Sequence, residues 1–255
     1  MRKRTPLNVL GVLTLTLLAM LAGCSGETEQ ATEVAVEPAP LLDRELFFGD
    51  PEISGAQLSP DGQWMSFLKP YEGARNIWVK AADAPFEAAK PVTADERPVP
   101  GYFWSRDSRY LLYVQDKGGN ENFHVWAVDP AADPGEKNVP PARDLTPVDG
   151  VRAQIYSVPK NTPDVMIVGL NDRDPSYHDI YKVNIATGER VLMRENTENV
   201  GFWLFDNEGE LRLAYRSLPG GGAELLRVEM QGFEQLLTTT YEESMNPVGF
   251  HPDRR

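Results

Sequence analysis

The sequence predicts an all-β fold, specifically a β-propeller of four-stranded antiparallel blades. Similar segments recur along the chain, and their starting residues are separated by steps of 46, 52, 49 and 45 residues. Turn-forming residues open the segments, and the residues that follow are rich in Val, Ile, Tyr, Phe and Trp, which favour strands. No stretch after residue 24 keeps a helical period over a convincing length. A repeat of about 40–50 residues with four short strands is typical of a propeller blade.

Turn chemistry defines the start of each blade. Residues 58–62 (LSPDG) precede an apolar stretch at 64–68, and residues 104–108 (WSRDS) precede a similar stretch at 110–114. Proline fixes φ, aspartate bonds back to the backbone and glycine supplies a positive φ, so the first strand of a blade reverses into the second. Residues 205–209 (FDNEG) repeat the pattern. A β-sandwich also contains many short strands but does not predict aligned copies.

Further landmarks predict the outer strands of each blade. The third strands are centred on Trp78, Trp126, Tyr181 and Leu226. Weak fourth strands follow at 91–93, 144–146, 191–193 and 235–238. The propeller is therefore predicted over 43–255, with blades at about 53–97, 98–149, 150–197 and 198–240, and the start of another at 247–255.

The number of repeats predicts an incomplete ring. About four complete blades and the start of a fifth are present, which is expected of the front portion of a longer gene product. A closed propeller covers every blade face with a neighbour, whereas an incomplete ring leaves two outer faces free. We expect the residues on those free faces to include Trp64, Trp78, Leu211 and Leu226.

The first residues resemble an export signal. Arg2, Lys3 and Arg4 precede an apolar run, which ends at residues 21–24 (LAGC). The ending resembles the bacterial lipoprotein box, so residues 1–23 are predicted to be a signal peptide and Cys24 to be lipidated. An ordinary signal peptide with a cysteine near its cleavage site is the alternative. Residues 24–42 are predicted to be a flexible acidic tether, and the protein an exported, membrane-anchored lipoprotein facing the periplasm or cell surface.

Charge and composition exclude several classes of function. The 25 Lys and Arg residues face 38 Asp and Glu residues, giving a net charge of -13, and no basic stretch follows residue 4. This acidity argues against nucleic-acid binding. The single Cys forms no internal disulfide, and His124, His178 and His251 fall in different blades without metal-ligand spacing. We expect neither a metal nor another cofactor.

Four longer stretches carry a family resemblance. They are residues 44–51 (RELFFGDP), 115–123 (QDKGGNENF), 169–175 (GLNDRDP) and 178–181 (HDIY). From about residue 43 onward, the chain resembles the secreted bacterial dipeptidyl- and acylaminoacyl-peptidase-like members of the prolyl oligopeptidase family. The resemblance implies an N-terminal propeller that restricts the entry of peptides to a following α/β-hydrolase domain.

The resemblance assigns no catalytic residue to this chain. The sequence contains no Gly-x-Ser-x-Gly nucleophile elbow, which a serine peptidase of this family carries in its hydrolase domain. The predicted function is therefore that of a substrate-gating propeller, whose partners are peptide substrates and a C-terminal hydrolase domain. The alternative is a non-enzymatic, Tol-type propeller lipoprotein that binds other proteins in the cell envelope.

Two charged groups are candidates for contact with a substrate or a neighbouring domain. The first comprises Asp172, Arg173 and Asp174, and the second comprises Glu242 and Glu243. The glutamate pair invites comparison with the paired glutamates by which dipeptidyl peptidases of the family hold a free amine. The competing interpretation is that the first group pairs internally, and with His178, in a turn between strands, and that the second lies in a solvated connector.

Overall fold

The computed structural model of the chain describes residues 40–49 and 51–251. The predicted signal peptide, Cys24 and most of the predicted tether lie outside the described residues. Of the described residues, 40–49 belong to one compact unit and 51–251 to a second. Within the first unit, the short helix α1 (Glu45–Phe48) is closed by a 2.8 Å hydrogen bond from the Gly49 N–H to the Glu45 carbonyl. No helix of the described part is long and apolar enough to span a membrane.

The second unit contains four antiparallel sheets of four strands each, and the strands of each sheet follow chain order. Sheet 1 consists of β1 (Ser54–Leu58), β2 (Trp64–Tyr71), β3 (Ala74–Ala81) and β4 (Lys90–Pro91). Sheet 2 consists of β5 (Tyr102–Trp104), β6 (Leu111–Gln115), β7 (His124–Val128) and β8 (Ala142–Asp144). Sheet 3 consists of β9 (Ala153–Ser157), β10 (Val165–Asp174), β11 (Tyr177–Asn184) and β12 (Arg190–Arg194). Sheet 4 consists of β13 (Phe202–Phe205), β14 (Leu211–Ser217), β15 (Ala223–Val228) and β16 (Phe233–Thr239).

These sheets are propeller blades, which confirms the predicted fold class. The predicted turn chemistry is present between β1 and β2. The Ser59 hydroxyl donates to Asp61 Oδ1 and accepts the Trp64 N–H at 3.0 Å. Hydrogen bonding, above all from Ser59, holds the pKa of Asp61 below its usual value. Ser105 and Asp107 repeat the arrangement between β5 and β6.

Three apolar clusters lie between neighbouring sheets. The first joins sheets 1 and 2, the second joins sheets 2 and 3, and the third joins sheets 3 and 4. Their most buried residues include Ile77 and Leu111 in the first, Leu112 and Met166 in the second, and Ile180 and Trp203 in the third. None of these clusters combines residues of sheet 1 with residues of sheet 4. The four sheets therefore form an open arc.

The expectation that four apolar residues lie on free outer faces is wrong for three of them. Trp64 packs against the cluster between sheets 1 and 2. Leu226 lies in the cluster between sheets 3 and 4, and Leu211 packs against it. Trp78 lies outside these clusters, with its ring edge-on to Tyr71 at a centroid distance of 5.8 Å. The error has a physical reason, because an apolar repeat marks a strand without telling which of its two faces meets a neighbour.

A polar residue near the start of the third strand secures the connector to the next sheet. In sheet 1, the Asn76 side chain accepts the Asp95 N–H at 2.9 Å and donates to the Asp95 carbonyl at 3.1 Å. In sheet 3, Asp179 Oδ1 accepts the Asn196 N–H at 2.6 Å. Because each connector leads to the following sheet, these hydrogen bonds hold successive blades in register.

Candidate functional site

A cavity of about 410 Å3 lies at the edge of sheet 2 where β6 turns into β7. Its walls come from the connector that follows sheet 1, the β6–β7 loop, strand β7 and the residues that lead to sheet 3. Its charged and aromatic lining residues are Asp95, Asp116, Lys117, His124, Trp126, Asp144 and Asp149. We call this space the sheet 2 cavity. A concave space of a few hundred Å3 with convergent polar groups is typical of a ligand site.

The β6–β7 loop holds a buried carboxylate in the wall of the sheet 2 cavity. The Asp116 side chain is 1% exposed, and its Oδ1 lies 3.1 Å from Arg97 Nε in an ion pair. Its Oδ2 accepts the Glu121 N–H at 3.0 Å. The guanidinium lies against Gly119, where a Cβ would come within 2.7 Å of Arg97 Nη1 and where φ is +84°. Glycine is therefore the residue that this loop requires.

His124 and Asp144 form a second polar pair in the cavity wall. His124 Nδ1 lies 2.6 Å from Asp144 Oδ2, and Asp144 Oδ1 accepts the Thr146 N–H at 2.9 Å. The Thr146 hydroxyl in turn accepts the Val125 N–H at 3.0 Å. This chain of hydrogen bonds fixes β7 beside the end of β8. The neighbouring Trp126 Nε1 is buried and has no hydrogen-bond partner among the described residues.

A second space, of about 330 Å3, adjoins the sheet 2 cavity and shares Asp95 and Trp126 with it. Burial raises the pKa of Tyr113 in its wall, and the nearby Asp95 raises it further. Burial also raises the pKa of Asp95. Part of the wall is the β7–β8 loop, which is held to sheet 1 by a 2.9 Å hydrogen bond from the Tyr71 hydroxyl to the Lys137 carbonyl.

The first predicted contact group lies at the end of β10 and bonds within sheet 3. Arg173 donates to both carboxylate oxygens of Asp179, at 2.7 and 2.8 Å. Asp172 accepts the Tyr181 hydroxyl at 3.0 Å, and Asp174 accepts a turn N–H at 2.9 Å. Arg173 and Asp172 therefore pair with residues of β11, and Asp174 pairs with the turn, in place of the expected pairing within the group. The reason is that β10 continues through the group, so that it is paired with β11 there.

The second predicted contact group lies after β16, and both of its side chains bond locally. Glu242 accepts the Tyr241 hydroxyl at 3.0 Å, and Glu243 accepts the Thr240 N–H at 3.0 Å. Both glutamates are exposed. In the described part of the chain, no hydrogen bond or ion pair joins them to residues 172–174. The structure therefore does not bring the two predicted groups together.

The histidines form no metal centre in the part of the chain that the structure describes. Burial lowers the pKa of His178, and the nearby Arg152 lowers it further, which favours the neutral ring. Across residues 40–49 and 51–251, no group of three or more His, Cys, Asp or Glu side chains is placed to hold a metal ion.

A curated relative matches nearly all of the chain. Dipeptidyl aminopeptidase BIII of Pseudoxanthomonas mexicana is 35% identical over 246 residues, which cover 93% of this chain and 35% of the relative. This match agrees with the predicted resemblance to the N-terminal propellers of the prolyl oligopeptidase family. Dipeptidyl peptidase family member 6 of Caenorhabditis elegans is 30% identical over 188 residues, which cover 71% of this chain and 24% of the relative.

The chain spans well under half the length of either relative. Among solved structures, prolyl oligopeptidase B from Galerina marginata is similar with a TM-score of 0.49 and 15% identity. The similarity covers 72% of this chain and 26% of that chain. No protein-family profile matches the sequence.

Two of the stretches that carry the family resemblance have clear structural roles. Residues 115–123 contain the β6–β7 loop of the sheet 2 cavity. Gly169 lies within β10, where a Cβ would come within 2.6 Å of Tyr156 Cε2 and 2.9 Å of His178 Cβ. Glycine is needed there because sheet 3 leaves no room for a side chain.

Most residues that line the sheet 2 cavity are not marked as functional by the sequence. Asp95 belongs to the end of one blade, and Asp144 and Asp149 belong to the end of the next, about 50 residues later. Nothing in their local sequence marks the three as a group. The blade pattern offers one usable signal. The connector that leaves one blade passes beside the turn between the second and third strands of the next blade. Acidic residues in the connectors before and after the second blade therefore indicate a common site with residues 115–123, which contain that turn.

Proposed function

We propose that this chain is the N-terminal, substrate-gating propeller of an exported serine peptidase that acts on peptides. The observation that carries the proposal is the 35% identity, over 93% of the chain, with a dipeptidyl aminopeptidase. In this role the propeller would select substrates by size, admitting short or extended peptides and excluding folded proteins. The concave, acidic sheet 2 cavity supports this role, since it offers a contact surface for a polar ligand.

The proposal leaves bond cleavage to an α/β-hydrolase domain outside these 255 residues. A Ser nucleophile in Gly-x-Ser-x-Gly and its acid and base partners are required for acyl transfer, and the chain lacks that motif. The residues of this chain would act on the substrate before chemistry by excluding, admitting and orienting it. Orientation contributes to rate because a bound near-attack geometry replaces a bimolecular encounter.

We expect the purified 24–255 chain to show no hydrolysis of dipeptidyl or acylaminoacyl reporter substrates, because it carries no nucleophile elbow. The measurement is release of the chromophore compared with a blank that contains no enzyme. Turnover that persists through repurification, together with labelling of this chain by a serine-directed fluorophosphonate, would contradict the proposal.

The gene sequence downstream of codon 255 distinguishes the proposed peptidase from the alternative, a protein-binding lipoprotein. A hydrolase motif supports the peptidase, and a stop after blade completion supports a protein-binding lipoprotein.

We also propose that the protein is exported and held at a membrane through Cys24, which lies in the LAGC box of residues 21–24. Cys24→Ala should abolish incorporation of labelled palmitate and move the protein from the membrane fraction to the soluble fraction. Ser25→Ala is the matched control, because it alters the neighbouring residue and leaves the thiol in place. Palmitate labelling of the Cys24→Ala variant would show that the anchor lies elsewhere.

A further inference from the structure

A cavity of about 640 Å3 lies where the first strands of sheets 1, 2 and 3 end. Its walls are the last residues of β1, β5 and β9 and the residues that follow each of these strands. We call this space the first-strand cavity. Its lining is largely apolar and includes Leu58, Phe103, Ile155, Tyr156 and Val158. Leu58 is 58% exposed, so the cavity offers apolar surface that a ligand can cover.

Arg106 gives the first-strand cavity a positive charge, and the other described lining residues are neutral. Its Nε donates to the Val158 carbonyl at 3.2 Å, which holds the guanidinium between sheets 2 and 3. A guanidinium has five N–H donors, and in the described part of the chain no Asp or Glu pairs with the remaining ones. By contrast, Arg97, Arg173 and Arg212 each pair with a buried aspartate. Arg106 is therefore free to bind an anion that comes from outside the chain.

The backbone of the cavity wall favours a peptide over a simple apolar anion. β1, β5 and β9 are each the first strand of a sheet, so each has one edge without a neighbouring strand in the described part of the chain. An extended peptide can exchange main-chain hydrogen bonds with such an edge, whereas an acyl chain cannot. A guanidinium binds a carboxylate through two parallel hydrogen bonds, and every unblocked peptide carries a carboxylate at its C-terminus.

We infer that the first-strand cavity binds the C-terminal residue of an extended peptide, with the carboxylate on Arg106 and an apolar side chain against Leu58 and Ile155. The inference rests on the proposed function and deepens it, because it names the end of the peptide that the propeller holds. The guanidinium supplies the preference for a free chain end. The apolar lining supplies the preference for the last side chain of the peptide.

Calorimetric titration of the purified full chain with short N-acetylated peptides tests the inference. The peptide N-acetyl-Ala-Ala-Leu should bind about tenfold more tightly as the free acid than as the C-terminal amide, because the amide loses the charge-assisted contact. The free acid N-acetyl-Ala-Ala-Ala should bind about three- to tenfold more weakly than the leucine peptide, because it buries less apolar area. Octanoate has a carboxylate and an acyl chain but no peptide groups, and it should bind at least about tenfold more weakly than the leucine peptide.

Matched variants assign the two parts of the contact. Arg106→Gln should reduce the preference for the free acid over the amide to less than about twofold and leave binding of the amide unchanged. Arg109→Gln is the control, because it makes the same change three residues later, at a side chain that pairs with Asp129 and does not line the cavity. Leu58→Ala should weaken the leucine peptide about threefold and leave the alanine peptide unchanged. Because Arg106 and Leu58 are exposed, both variants should keep the unfolding transition of the parent.

Three results would overturn the inference. They are equal binding of the free acid and the amide, an Arg106→Gln variant that keeps the preference for the free acid, and octanoate binding as tight as that of the leucine peptide. The last result would assign the cavity to acyl carboxylates. The outcome is separable from the proposed function. A preference for the free acid without a downstream hydrolase motif would keep the site and refute the peptidase, whereas a hydrolase motif with equal binding of acid and amide would refute the site alone.

Discussion

Replacing Trp203 by Ala should lower the free energy of unfolding by about 3–5 kcal/mol, the usual cost of removing a large aromatic side chain from a packed core. Trp203 is 1% exposed and lies in the cluster between sheets 3 and 4. Its ring centroid is 6.3 Å from that of Phe233, and the Arg194 guanidinium lies 5.3 Å from the ring. The indole also donates to the His178 carbonyl at 3.4 Å. Urea unfolding followed by circular dichroism measures the change.

Tyr241→Ala is the control for the loss of an aromatic ring. The Tyr241 side chain is 76% exposed, so its removal should change the free energy of unfolding by less than about 0.5 kcal/mol. If the two variants unfold at similar urea concentrations, the cluster between sheets 3 and 4 does not carry the stability that its burial indicates. A change in the slope of the unfolding transition would instead report an altered unfolded or native state.

Asp179→Ala should lower the free energy of unfolding at neutral pH by about 1–3 kcal/mol, because it leaves the buried Asn196 N–H without an acceptor and removes the ion pair with Arg173. The Asp179 side chain is 2% exposed and receives both Arg173 nitrogens and the N–H of Asn196. Asn196 is itself buried, so water does not replace the lost acceptor. Urea unfolding at pH 7 checks the value. Asp172→Ala removes an exposed carboxylate that bonds the Tyr181 hydroxyl, and it should have a much smaller effect.

The effect of Asp179→Ala on the free energy of unfolding should also depend on pH. Burial alone would raise the pKa of Asp179, but the hydrogen bonds from Arg173 and Asn196 hold it below its usual value. A lowered pKa in the folded state stabilises the fold above the pKa of the unfolded state, and this contribution is lost as the pH falls through the folded value. The difference between parent and variant should therefore shrink from pH 7 toward pH 2. A difference that grows in acid would contradict the assigned pKa direction.

The blade pattern was predictable because it depends on local chemistry. The hydrogen bonds of Ser59 and Asp61 form within a few residues of one another, and the aromatic residues that follow favour strands whatever lies beyond. The four sheets accordingly contain the predicted third-strand landmarks, including Trp78 in β3 and Trp126 in β7. Repetition strengthened the prediction, since each copy tests the others.

The sheet 2 cavity was not predictable in the same way, because its walls meet only after the chain has folded. Asp95 follows one blade and Asp149 another, and their proximity depends on how two connectors pass the β6–β7 loop. The predicted contact residue Arg173 shows a second limit of the sequence. A charge beside a turn invites a functional interpretation, whereas in the folded chain Asp179 on the next strand receives it. Pairing across strands is not visible in a single stretch of sequence.

The separation of the apolar core into three clusters also determines where the protein can deform. Each cluster is shared by two sheets only, so a change in the angle between sheets 1 and 2 need not repack the contacts between sheets 3 and 4. No single core shared by all four sheets ties these two angles together. The sheet 2 cavity has one wall on the connector from sheet 1 and the others on sheet 2 and its connector to sheet 3. Its width therefore depends on the angles that sheet 2 makes with both of its neighbours.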